Sequence, residues 1–174
     1  MDCVGEKLSA LGSLSRGHNG SMATWATYWT GPTARDEEGK AIDHIASNQF
    51  DEAGVVAGDT MYVITYADAH LHVVTSLVVD HVVSQKRAEQ ILGRDLWEAD
   101  WHVIARPGSI RRATMSASLS SKEIAALVFI GRDGEPSPPA RNRRGAIDHQ
   151  TFRNTRRVDT STAAVFQQVL TSRG

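Results

Sequence analysis

The chain has a single cysteine, Cys3, among 174 residues, so an internal disulfide is excluded. A lone thiol suits a reducing compartment. No apolar run reaches the roughly 20 residues needed to span a bilayer. The longest patches, near Val73 to Val83, are broken by Thr75, Ser76, Asp80 and His81. No basic-then-apolar leader opens the chain, because Glu6, Ser13, Ser15, Arg16 and His18 interrupt it. Together these absences predict a cytoplasmic protein with no membrane partner.

Enzyme and cofactor signatures are missing as well. The sequence contains no G-x-S-x-G elbow, no P-loop and no G-x-G-x-x-G. No cofactor is implied. Cys3 lies in a stretch with little apolar periodicity, a poor setting for a nucleophile. The one dense acidic run, Asp36-Glu37-Glu38, reads as loop. A binding module is therefore expected rather than an enzyme.

What is present begins with charge. The net formal charge is -1, but it is unevenly spread. Residues 1–100 hold 7 Lys and Arg against 15 Asp and Glu, whereas residues 101–174 hold 12 against 5. Such asymmetry points either to a polyanionic partner or to halves that neutralise each other across one surface. The length suits one domain. Residues 1–21 are rich in Gly and Ser and are expected to form a flexible N-terminal tail, leaving residues 22–174 as a single domain.

Residues 22–30 (MATWATYWT) are rich in Trp, Tyr and Thr and predict a strand ended by Gly31-Pro32. Ile42, Ile45, Ala46 and Phe50 have helical spacing and predict a short helix over 42–53. Gly58-Asp59 marks a turn. The runs 60–66 and 70–84 predict a hairpin closed at Asp68-Ala69. A helix is expected over 86–92, stopping at Gly93. Residues 95–105 fit no single pattern, and 110–119 suggest a strand. Ser120 with Glu123 predicts a capped helical turn. Leu127 to Ile130 predicts a short strand, 131–145 a Pro- and Gly-rich loop, and Asp159 or Thr160 the cap of a final helix. The fold class is α+β: a small, partly open β-barrel with peripheral short helices and a C-terminal helix.

The stretch Ala46-Ser47-Asn48-Gln49-Phe50, then Gly58-Asp59 and the strand Met61-Tyr62-Val63, resembles the PUA-like superfamily. With the aromatic strand Thr24 to Trp29 ahead of it, it looks most like the EVE-type branch. The likeness spans about residues 22–105 by order of elements. It implies a pseudo-barrel that binds DNA or RNA and takes a base, plain or modified, in a pocket of aromatic and small polar groups. The long strand 70–84 and the Trp97/Trp101 pair depart from that pattern.

A base pocket needs flat apolar faces for stacking and hydrogen-bonding groups for the base edge. The candidates are Trp25, Trp29, Ser47, Asn48, Tyr66 and Trp97. Trp25 and Trp29 share one face of a strand, and so do Tyr62 and Tyr66. The alternative is that these aromatics fill the core and that Asn48 serves a turn. Phosphate contacts are expected from Arg106, Arg111, Arg112, Arg141, Arg143, Arg144, Arg153, Arg156 and Arg157, because the guanidinium fork suits phosphate. A solvated or internally paired surface is the competing reading. Two further functions stay open. Asp68-x-His70-x-His72, with His81 further along, offers metal ligands for a small hydrolase or nuclease. The aromatic strand offers a contact for a protein partner or a second copy.

Overall fold

A computed structural model describes residues 22–174; the expected N-terminal tail lies outside the described residues. The chain is α+β. The first half contains β1 (Thr24–Tyr28), α1 (Gly31–Asp36), β2 (Ala41–Ile42), β3 (His44–Ser47), α2 (Phe50–Ala53), β4 (Thr60–Ala67), β5 (His70–Ser84) and α3 (Gln85–Leu92). The second half contains β6 (Trp101–Ala105), β7 (Arg111–Arg112), α4 (Ser121–Ala125), β8 (Phe129–Ile130), β9 (Pro136–Ser137), β10 (Arg156–Val158) and α5 (Thr160–Arg173).

Eight strands form one sheet in the order β3-β6-β5-β4-β1-β10-β8-β9, and β2 pairs with β7 separately. Within the large sheet only β1 and β4 run parallel. Their crossover carries α1, the β2–β3 segment and α2. The β4–β5 hairpin turns at Asp68 and Ala69, whose φ angles of 50° and 64° give the doubly left-handed turn that matches strand twist. β5 is long because it serves different partners along its length. Its first part pairs with β4, and residues from Val79 onward pair with β6. Residues 113–119 take the free edge of its first part through Thr114, Ala117 and Leu119.

The central strands are buried on both faces. Trp25, Met61, Val63 and Leu77 point to one side and meet Ile45, Phe50 and Val103. Ala26, Tyr62, Ile64, Leu71 and Val73 point to the other and meet Phe129, Phe152 and, from α5, Phe166, Val169 and Leu170. The alternation of period two thus divides β1 and β4 between two cores. It explains why 60–66 reads as a near-continuous apolar run.

Asp59 joins the start of β1 to the turn before β4. Its carboxylate is buried and accepts from Trp25 Nε1 at 2.7 Å, Ala23 N at 2.9 Å and Val56 N at 3.1 Å. Gly58 precedes it at φ 96°, a conformation that favours glycine. The Gly58-Asp59 pair therefore has a structural duty.

Two local expectations are corrected. Residues 42–53 are not one helix: the end of β2 and all of β3 fall in its first half, and only Phe50–Ala53 is helical. Pairing of Ile42 with Arg111 and of Ile45 with Val103 overrides a local spacing that also fits strands. Residues 110–119 form a strand only at Arg111–Arg112; the rest is irregular chain bonded to β5. The ambiguous stretch resolves into a loop and then β6. The hairpin, α3 with its stop at Gly93, the Ser120–Glu123 capping box and α5 capped by Asp159 all form as expected.

Candidate functional site

β3 is an outer strand of the large sheet and pairs only with β6. A cleft of about 580 Å³ runs along it. It is lined by Trp29, Thr33, Glu37 and Lys40, by residues 41–46 and by residues 94–99. The volume falls in the range of small-ligand sites.

The segment 94–100 is held at three points. Arg94 Nη2 donates to both carboxylate oxygens of Asp43, at 2.6 and 2.8 Å. Gln85 Oε1 accepts from Ala99 N at 3.1 Å and lies 2.6 Å from His102 Nε2. Asn48 Oδ1 accepts from Asp100 N at 2.9 Å. These ties leave Trp97 at the crest with 67 % of its surface exposed. A tryptophan this open buries little of its apolar area, so core packing does not account for it.

The rings of His44, which lines the cleft, and His102 stack with centroids 5.7 Å apart. His44 Nδ1 lies 3.0 Å from Asp43 Oδ1. Burial raises the Asp43 pKa, but the hydrogen bonds from Arg94 and His44 outweigh it and hold the carboxyl below its ordinary value. His102 is fully buried; desolvation first, and then the charge of His44, hold its pKa below the ordinary value. The Gln85 carbonyl assigns the proton to Nε2, leaving Nδ1 as the bare nitrogen, without a hydrogen-bond partner among the described residues.

Two further depressions continue the cleft. Ala46 is shared with one of about 560 Å³, lined by Thr27, Tyr28, Thr30, Ser47, Asn48 and Arg153 among others. Gln49 and Asn154 are shared between that depression and a third of about 450 Å³, which contains Arg132, Arg156 and Arg157 and reaches the edge of Trp25. Glu52 spans the third depression through an ion pair to Arg132 at 2.7 Å.

The candidates for a base pocket separate. Trp29 and Trp97 line the first cleft, and Ser47 and Asn48 the second. Trp25 is 8 % exposed and its N–H is taken by Asp59. Tyr66 packs against the other core and stacks on His149 at 5.5 Å. Even spacing put Trp25 and Trp29 on one face, but a face says nothing about depth.

Among the arginines, Arg153 and Arg157 line the clefts, are exposed, and have no carboxylate partner among the described residues. Arg156 is half-buried with its guanidinium 4.6 Å from the Phe129 ring centre, and it donates to Thr151 O and Ser137 Oγ. Arg112 is bonded to Gly39 O and Arg141 to Gly145 O. Arg106, Arg111, Arg143 and Arg144 are exposed but do not line these clefts.

The histidine face does not assemble. Asp68 sits in the hairpin turn with its carboxylate on Arg35, His72 is buried, and His81 lies in the part of β5 that pairs with β6. No group of three or more His, Cys, Asp or Glu able to hold a metal occurs among the described residues. β1 lies between β4 and β10, so the aromatic strand presents no free edge to a partner. No helix among them is long and apolar enough to cross a membrane.

Sequence reasoning missed the cleft's polar residues Asp43, His44, Arg94, Asp95 and Glu98. The usable signal was the segment Arg94 to Glu98, where one tryptophan stands among charges directly after a helix stop. Comparison with family models, curated proteins and solved structures finds no match.

Proposed function

We propose that the chain is a PUA-like, EVE-type module that binds single-stranded or locally opened nucleic acid. It takes one base at the cleft between Trp29 and Trp97. Neighbouring phosphates lie over the adjoining depressions, against Arg153 and Arg157. The observation that carries this reading is the exposed Trp97, tied over a cleft that Trp29 also lines. Stacking on tryptophan contributes about 1–3 kcal/mol per base. Ser47 and the free amide nitrogen of Asn48 stand next door to meet a base edge or sugar.

The order of elements supports the family reading: an aromatic strand, the Ala46 to Phe50 segment, the Gly58-Asp59 turn and an apolar strand. The separation of roles gives it chemical sense. Trp29 and Trp97 line one compartment, and Arg153 and Arg157, which have no carboxylate partner among the described residues, line the next two.

The test is fluorescence-anisotropy binding to short DNA and RNA, single- and double-stranded, with plain and methylated bases, at two salt concentrations. The expected result is a preference for single strands, weakening as salt rises. Absence of binding at low salt overturns the reading.

A further inference from the structure

The first cleft is unusual for a site beside a polyanion, because its lining is acidic. It carries four carboxylates, from Glu37, Asp43, Asp95 and Glu98, against the two cationic side chains of Lys40 and Arg94. Both cations are already engaged. Lys40 Nζ is 3.1 Å from Glu37 Oε1, and Arg94 is forked onto Asp43. That leaves Asp95 and Glu98, two and one residues from Trp97, both exposed and without an ion-pair partner among the described residues. The cleft thus joins two indole rings to a surplus of negative charge.

Both features select the same sign. The face of an indole is the negative end of its quadrupole and attracts a cation, more strongly than any other side chain. Unpaired carboxylates around a partly enclosed cleft add to that attraction and repel phosphate. A neutral base gains stacking and hydrogen bonds here, but no attraction of unlike charge. A flat ring that is itself cationic gains stacking, attraction to the rings and attraction to the carboxylates.

We propose that the base taken by this cleft is a cationic, N-methylated one of the 7-methylguanine or 1-methyladenine type. The proposal rests on the reading above and adds the charge of the ligand to it. Methylation at these ring nitrogens fixes a positive charge on the ring and leaves amino N–H donors free. Those donors suit carboxylate acceptors. Methylation of an exocyclic amine adds the same carbon without the charge, which separates charge from size. The phosphates of the same strand are kept out of the cleft and fall to Arg153 and Arg157.

The experiment is titration of the full chain's tryptophan fluorescence with nucleosides, at a pH where the ring-methylated ones are cations. The probes are 7-methylguanosine, guanosine, 1-methyladenosine, adenosine, N6-methyladenosine and trimethyllysine. The cationic nucleosides are expected to bind at least tenfold more tightly than the neutral ones. An Asp95→Asn, Glu98→Gln double variant is expected to bring that ratio close to one, weakening the cationic nucleosides far more than the neutral ones. Its thermal midpoint, measured alongside, is expected to match wild type because both side chains are exposed.

Equal or tighter binding of N6-methyladenosine overturns the charge assignment and leaves the base reading standing. An unchanged ratio in the double variant overturns it too. Tighter binding of trimethyllysine than of any nucleoside assigns the cleft to a methylated ammonium and overturns the proposal. Failure of every nucleoside and every oligonucleotide removes the base reading along with it.

Discussion

The two ends of β1 carry the same side chain in opposite circumstances. At its start, Trp25 is buried in the core and donates to a buried carboxylate. Just past its end, Trp29 lines a cleft that an exposed Trp97 also lines. The first region holds the fold together; in the second, Trp29 still packs partly against the same core, and Trp97 is left open to hold something else. A tryptophan with every partner supplied by the chain is structural. One raised on a tethered loop with its faces open is available for a ligand.

The sharpest way to break this contrast is to remove Asp59. In Asp59→Ala, three N–H donors lose their acceptor in a buried place, at a cost of about 3–5 kcal/mol in stability. A urea or thermal melt checks it, and a loss under 1 kcal/mol would mean that the first region is not structural. Trp97→Ala is the counterpart. It should leave the melt unchanged within about 0.5 kcal/mol while weakening a single-stranded ligand by about 1–3 kcal/mol.

A smaller effect belongs to the far end of the molecule. Glu123 has its pKa lowered to about 2, first by the hydroxyl and backbone N–H of Ser120 and then by Arg173. A carboxyl with a depressed folded pKa stabilises above its ordinary value of 4.5 and loses that contribution as pH falls toward 2. Glu123→Gln is expected to cost about 1 kcal/mol at neutral pH, the size of a capping interaction. The difference from wild type should shrink on acidification through that window. Thermal midpoints at several pH values read it directly.

The smallest effect tests the stacked histidine pair beside the cleft. His102 is buried with a lowered pKa, so below its ordinary value of 6.5 the unfolded chain binds a proton that the folded one refuses. Stability should therefore fall as pH drops from 6.5 toward the lowered value. In His102→Gln that limb of the profile should be missing. A profile identical to wild type would show that the stacked pair does not set it.

Much of the framework was legible in the chain. The hairpin, the helix stop at Gly93 and the caps at Ser120 and Asp159 follow from local chemistry, because a turn or cap is decided by its own few residues. The span 42–53 was not legible, because strand pairing with β6 and β7 decided it from some 55–70 positions away. The site was legible in parts. Trp29, Ser47, Asn48 and Trp97 were singled out by type, but their division between two adjoining compartments depends on where β3 meets residues 94–99. Arg156 looked like its neighbours in sequence, yet the fold places it over Phe129.

The central claim is that bases and phosphates are held in different compartments. The most direct test is the salt dependence of single-strand binding for wild type, Trp97→Ala and the Arg153→Ala, Arg157→Ala double variant. In a log–log plot, Trp97→Ala should lie below wild type with the same slope. The arginine variant should lose about 0.7 of slope for each phosphate contact removed. An unchanged slope in the arginine variant, or unchanged affinity in Trp97→Ala, would contradict the division of labour.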